Sequence, residues 1–511
     1  MAGWPFKMKS YDSIVVGSGI SGMTLALLLG MNGQSVLLIE KSHHIGGAMK
    51  RFVKQGIPFD TGFHFTGGFY KNGILHDMLT ALNIHNDIKP VYLSNPGSNQ
   101  FIFESEQVSY ELPPGFKQAE ERIKDYFPSE ADAVKRYFNM VADVCKKTVS
   151  MDLRKITLAP EVIDEDYISL DKILNNLTDN SVLKGLLAAY CMCYGVKPSE
   201  VSFANHSRVC HSLYESVARV KDGGDAFINA FKQRFVKYDI DIMRNTCIKE
   251  CADIQNRHVG RFVLNNGAEI ACKHCIFTVH PKIILETLPQ KHLTKAFRNR
   301  VNLFEPSNGF FSVYGIVKRD ESSNTQNNDF EPAIISLFPT SDVNQLVSHK
   351  YTGLPALIIM KSIENFKGKT HHVINASEVS FPNHVSAWKN SKTKKRPPEY
   401  LEYKKHRIKS IHKRIVETYP EYKESYKIID AASMLTFKDY LNSPYGSAYG
   451  VKQKIGQINL FGRLLLRNIY AAGQSSVLPG LVGAMLSSFV VGRNIVGKES
   501  FNNFIKNRLS S

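Results

Sequence analysis

The chain has 511 residues, enough for about three domain-sized units or two larger ones. Apolar residues make up 43% and aromatics 11%, which excludes a disordered chain and supplies sizeable cores. Lysine and arginine number 64 against 47 acidic residues, a formal charge of +17 that favours an anionic membrane surface or an acidic partner without choosing between them. No nucleic-acid recognition module accompanies the charge, so nucleic acid is set aside. Eight cysteines are too thinly spread for a disulfide framework and suit a reducing compartment. The first residues lack the apolar core and small-residue cleavage site of a secretory signal. No uncharged apolar run reaches the roughly 18 residues of a membrane span. The expectation is a cytoplasmic protein, with peripheral attachment to a membrane left open and the oligomeric state unread.

In chain order, Ser13–Val16 reads as a buried strand. Gly17-Ser18-Gly19-Ile20-Ser21-Gly22 follows as a GxGxxG turn, and Leu25, Leu28 and Leu29 then share one helical face as far as Asn32-Gly33. Val36–Ile39 is a second strand, closed by Glu40. Strand, glycine turn, helix, strand and acid together form a dinucleotide-binding fingerprint. Gly17 makes the tight turn, Gly19 admits a pyrophosphate to the backbone, and Gly22 lets helix and strand pack. The helix N-terminus offers unpaired N–H groups to phosphates, and Glu40 is placed for ribose hydroxyls. Lys41 follows the acid, then Gly46-Gly47, then a stretch holding Asp60, Gly62 and His64. The glycine pair allows a second close backbone pass along an extended cofactor, which favours FAD over a simple NAD module.

The middle of the chain alternates short strands and helices. Residues 101–104 and 108–112 suggest a hairpin, residues 130–149 a helix, and 183–194 a buried helix. His206, His211 and Glu215 lack the spacing of a metal site, as do Cys191, Cys193, Cys272 and Cys275, so no metal is expected. The stretch from Arg261 to Val279 reads as strand, Asn266-Gly267 turn, strand, then another strand. In Gly309–Lys318 the aromatics either line an apolar pocket or cover a half-buried sheet face. Asp320–Asp329 reads as a polar loop. Around Trp388–Arg414 lies the densest basic run, and Leu401, Ile408, Ile411, Ile415 and Tyr419 form an apolar stripe beneath it. That stripe either packs on the protein, the favoured reading, or rests on an anionic membrane. Near the end, Ile469–Ala472 is a strand followed by Gly473-Gln474, and a turn containing Leu481 and Val482 opens a helix.

These motifs resemble the phytoene desaturase group of flavoproteins, within the class that includes the amine oxidases. The matching pieces are GSGISGMTLALLL, Glu40-Lys41, Gly46-Gly47, FDTGFHFTG, Lys221–Gly224 and the closing strand, turn and helix. His64-Phe65, Gln474 and SPYGSAYG are closest to the retinol saturase branch, the all-trans-retinol 13,14-reductases. Gln474 stands where the group usually has Asp. The resemblance implies an α/β fold with a discontinuous Rossmann-like FAD-binding domain over about 1–80, 215–290 and 430–511. A mixed α+β substrate cap would take 81–214 and 291–429. It implies Cys247 near the adenine, and backbone N–H groups from Leu481 and Val482 at the flavin pyrimidine edge. The substrate class it implies is a polyene or isoprenoid lipid, with a carbon–carbon double bond saturated by reduced flavin. There is no clear second dinucleotide fingerprint, so the expected electron donor is a transiently bound NAD(P)H or another external carrier. The reverse desaturation, a redox-neutral isomerisation, or a flavoprotein or lipid-binding scaffold without chemistry stay open as alternatives. His64 is the nearest candidate acid or base, its ordinary pKa suiting proton transfer near neutrality. Among Tyr440, Tyr445 and Tyr449, Tyr449 is the candidate to face substrate.

Overall fold

The computed structural model describes residues 8–155, 162–318 and 330–510. The chain builds two sheets. In the first, β1 (Lys9–Val16) lies between Glu269–Phe277 and β2 (Val36–Ile39), all parallel. Asp241–Met243 extends it beyond β2, and Ile469–Ala471 pairs parallel with the end of Glu269–Phe277. Such central strands must be apolar on both faces. Ile14 and Val15 are accordingly both fully buried. On one face lie α1 (Ile20–Met31) and the helix Gly480–Val496. The Ser21 and Ser488 hydroxyls bond at 2.6 Å, and a Cβ on Gly492 would come within 2.4 Å of Leu28 Cδ2.

The segment from Arg261 to Val279 contains two strands rather than the three expected. Glu269–Phe277 is one continuous strand. It runs parallel beside β1 from Ile270 to Phe277, while on its other edge its start pairs antiparallel with His258–Leu264 and its end parallel with Ile469–Ala471. Nine residues span both the ribbon and the sheet, so no break is needed.

The second sheet has the order Tyr426–Ala432, Gly309–Val317, Lys369–Ser380, Leu357–Phe366, Ala333–Phe338, Asn99–Phe103, Val108–Glu111. Only the pairing of Ala333–Phe338 with Asn99–Phe103 is parallel. The helix Pro398–Thr418 covers one face, burying Ile411 and Ile415 against Phe311, Val313, Ile335 and Ile359. The apolar stripe is therefore spent inside the protein, except Leu401, which is exposed. Period-2 alternation in Gly309–Val317 sends Phe311 and Val313 to that face and Phe310 and Ser312 to the other. The loop reading for Asp320–Asp329 lies outside the described residues.

The chain crosses between layers at points other than 80, 290 and 430. Ala81, Leu82, Ile84 and Ile88 still pack in the core around α1, and Phe297 and Val301 pack in the first sheet's other core. The 430 division falls inside Tyr426–Ala432, a strand of the second sheet. A discontinuous Rossmann-like domain with a mixed α+β cap is the resulting architecture.

Candidate functional site

A cavity of about 470 Å³ runs between the two sheets. One end is lined by Gly17, Ser18, Gly19, Glu40, Lys41, Gly47 and Cys247, and Gly62, His64, Gly473 and Gln474 also belong to the wall. The other end rests on the second sheet. Its floor follows one row of directly paired residues: Phe101, Ser336, Ile358, Ser377 and Ser312. Apolar Phe310, Ile334, Phe338, Met360 and Val379 flank the row. Ser312 and Ser377 satisfy each other at 2.9 Å, so neither hydroxyl of that pair is left unmet.

At the nucleotide end the glycines differ in purpose. Gly17 has φ +99°, and a Cβ there would lie 2.8 Å from Val279. A Cβ on Gly22 would lie 1.8 Å from the Gly17 oxygen, so this residue serves close packing. Gly19 has open space instead, with nothing within 4 Å of a Cβ. It precedes α1 and offers no side-chain cap, leaving the first-turn N–H groups without a capping acceptor. A Cβ on Gly47 would lie 2.9 Å from Gly19 Cα, so the second glycine pair closes on the first. Thr278 Oγ1 donates to the oxygens of Val16 and Gly17 and fixes the turn from behind.

Glu40 is buried and already held by the chain. Ser18 donates to one oxygen from both N–H and hydroxyl, at 3.0 and 2.5 Å, and the Ser42 N–H donates to the other at 2.7 Å. Ser18 thus ties the glycine turn to the acid, a link the motif alone does not reveal.

Several predicted cofactor residues stand outside the cavity wall. Ser21 and Gly22 are consumed in packing α1, and Ile20 packs against the same core. Gly46 carries φ +119° beside Ile228 and donates its N–H to the Ser18 oxygen at 3.0 Å. Leu481 and Val482 lie in the first turn of Gly480–Val496, with side chains on the α1 core. Asp60 faces away into an ion cluster: 3.0 Å from Arg51 Nε and 2.8 Å from Arg219 Nη2. Glu364, from the second sheet, completes it at 2.5 Å from Arg51 and 3.3 Å from Arg219. Asp60 is therefore a structural anchor, since both its carboxylate oxygens are spent on arginines.

His64 lines the cavity, half-buried, and its Nδ1 has no hydrogen-bond partner among the described residues. Burial pushes its pKa down to about 4, with Asp60 opposing and Arg219 assisting. The ordinary value expected near neutrality does not hold, because the imidazolium would be desolvated. His280, which also lines the cavity, caps the helix Pro281–Thr287 and is likewise pushed down to about 4, by burial and then by the nearby Lys282 cation. Tyr449 also lines the cavity, edge-on to Phe310 at 6.1 Å, and burial raises its phenol pKa. Tyr440 and Tyr445 are exposed, Tyr445 accepting a bond from Lys282 at 3.2 Å.

His206 is fully buried, with Nε2 at 2.8 Å from the Tyr137 hydroxyl and Nδ1 at 2.7 Å from that of Tyr194. Both ring nitrogens are thereby engaged. Burial raises the thiols of Cys145, Cys191, Cys193, Cys210, Cys251 and Cys275, which keeps them protonated.

An extended dinucleotide fits these residues. The open Gly19, the uncapped helix and a passage from Glu40 to His64 provide a cradle that no side chain of the wall fills. The model of an NAD(P)-binding Rossmann-like domain matches residues 15–82. The chain is similar over its length to all-trans-retinol 13,14-reductase of Danio rerio, 23% identical over 96% of this chain and 86% of that one. An inactive all-trans-retinol 13,14-reductase of the same fish is 21% identical over 95% and 86%. Cyclohexylamine oxidase from Brevibacterium oxydans IH-35A shares the fold, with TM-score 0.59 and 13% identity over 98% of this chain and all of that one, 100%. The chain is thus similar over most of its length, at low identity, to all-trans-retinol 13,14-reductases, and it shares its fold with an amine oxidase.

Proposed function

We propose that the protein binds FAD in this cavity and saturates a carbon–carbon double bond of a polyene or isoprenoid lipid. The observation that carries this reading is the continuity of one cavity from the Gly17–Gly19 turn to the apolar floor of the second sheet. FAD supplies the hydride exchange that such a bond requires. Gly17, Ser18, Gly19 and the α1 N-terminus would hold the diphosphate, Glu40 the ribose, Cys247 the adenine, and Gly62, Gly473 and Gln474 the further reach of the cofactor. Phe101, Ile334, Phe338 and Met360 would bind the chain of the lipid and exclude water from it. Tyr449 remains a neutral phenol and holds a proton at Oη. His64 remains neutral and offers one ring nitrogen as donor and the other as acceptor.

NAD(P)H or another external carrier is the proposed electron donor. We place the protein in the cytoplasm, peripherally attached at most. Since the apolar stripe of Pro398–Thr418 faces inward, attachment to an anionic surface would rest on exposed lysines such as Lys405, Lys409 and Lys413. A second reading, a flavoprotein scaffold without chemistry, draws support from the relative described as inactive.

An anaerobic absorbance titration of the chemically reduced protein with retinoids and carotenoids tests the proposal. Flavin reoxidation matched by loss of polyene absorbance is the expected result. A flavin that stays reduced, but is bleached by the same lipids when oxidised, indicates desaturation. Rearranged polyene absorbance with the flavin still reduced indicates isomerisation. A flavin that responds to no lipid in either state favours the scaffold.

A further inference from the structure

Lys50 brings a cation to the nucleotide end of the cavity. It follows the short turn Gly47–Met49, and a Cβ on Gly46 would lie 3.2 Å from its Cγ, so its stem runs over the glycine pair. The neighbouring Gly47 is the residue that closes on Gly19. Lys50 therefore stands beside the open glycine turn and lines the cavity there.

Its charge is only partly compensated locally. Among the described residues Lys50 has no ion-pair partner, and the one opposing charge that acts on it is Glu40. Glu40 is occupied by three hydrogen bonds from Ser18 and Ser42. The surroundings add positive potential. Lys50, Arg244 and Lys232 all act on His44 in the same loop, and α1 has no acidic residue in its first turn. Lys41, the other lysine of the cavity wall, is exposed to solvent. A partly buried ammonium without a counter-ion is unfavourable, and a helix N-terminus pointing to the same end adds to the imbalance. Both are relieved by one doubly charged anion at the Gly17–Gly19 turn.

We propose that Lys50 is the counter-ion of the cofactor's diphosphate, a role that rests on the dinucleotide reading above. The position beside Gly46, Gly47 and Gly19 selects the diphosphate over the flavin ring, which would lie towards His64 and Gly473. Lys50 binds as a point charge on a flexible stem, which suits a diphosphate.

Calorimetric titration of flavin-stripped protein with FAD, ADP and adenosine provides the test. Lys50→Met keeps the apolar stem and removes the charge. It is expected to weaken FAD and ADP alike by about tenfold or more, to leave adenosine unchanged, and to lose most of this difference at high salt. Lys50→Arg is expected to restore most of the affinity, which separates loss of charge from loss of fold. If Lys50→Met binds ADP as tightly as the unaltered protein, the proposal fails. FAD weakened with ADP unchanged would also overturn it, placing the lysine at the flavin ring. If the unaltered protein binds neither FAD nor ADP, the dinucleotide reading itself falls.

Discussion

Arg219 joins the backbone of His64 to the carboxylate of Asp60: Nη1 donates to the His64 oxygen at 3.2 Å and Nη2 to Asp60 at 2.8 Å. With Arg51 and Glu364 these form a neutral square of two cations and two anions, each side chain at most 8% exposed. Arg51 and Asp60 sit on one separate two-stranded hairpin, while Glu364 comes from the second sheet. The square therefore pins the cap to the segment that carries His64.

Removing one corner leaves a buried charge unpaired. Glu364→Ala is expected to lower unfolding stability by about 3–5 kcal/mol, measured by urea denaturation. A loss below about 1 kcal/mol would mean that the square behaves like an exposed ion pair.

The fingerprint glycines separate into an open position, Gly19, and a packing position, Gly22. Gly19→Val has room and an ordinary φ of −64°, so the variant should fold with a near-normal melting temperature yet retain no flavin. Gly22→Ala presses on the Gly17 oxygen and should be destabilised by about 1–3 kcal/mol or more. Normal flavin content in folded Gly19→Val would contradict the phosphate-turn assignment.

Three histidines set a pH dependence, one fully buried and two half-buried. His64 and His280 are held at about 4 and His206 at about 3, against an ordinary 6.5. Below 6.5 the unfolded chain binds protons that the folded chain refuses. Stability is thus full above pH 6.5 and falls continuously towards pH 4. Urea midpoints at pH 7, 6 and 5 should decline in that order, and His206→Gln should flatten the decline. Equal midpoints at all three values would contradict imidazoles held neutral.

The cavity wall distinguishes the tyrosines. Tyr449→Phe and His64→Ala should each slow single-turnover flavin oxidation by polyene at least about tenfold, whereas Tyr440→Phe should not change it. Between pH 5.5 and 8 the rate should show no step from His64, because its titration lies at about 4. An unchanged rate in His64→Ala removes this residue from the chemistry.

The dinucleotide turn was legible because its parts are contiguous: β1, Gly17–Gly22, α1, β2 and Glu40 interact within a single stretch, and each glycine answers a local steric demand. Strands such as Ile469–Ala471 and the hairpin Asn99–Glu111 were readable for the same reason. The single strand Glu269–Phe277 was misread as two, since its partners on either side lie in different parts of the chain.

What the sequence determined by itself was the local chemistry: which glycines turn, which helix start lacks a capping side chain, and which runs are apolar. Only the tertiary structure decided where those groups were spent. Asp60 looked like a cofactor ligand until Arg219 and a residue of the second sheet enclosed its segment, Glu364 lying 313 residues from Arg51 in sequence. His64 kept its ordinary pKa until burial removed the water that would stabilise its cation. The floor row from Phe101 to Ser312 exists only as strand register, because it draws one residue from each of five strands. Charge, burial and register are properties of neighbours, and distant neighbours are chosen by packing.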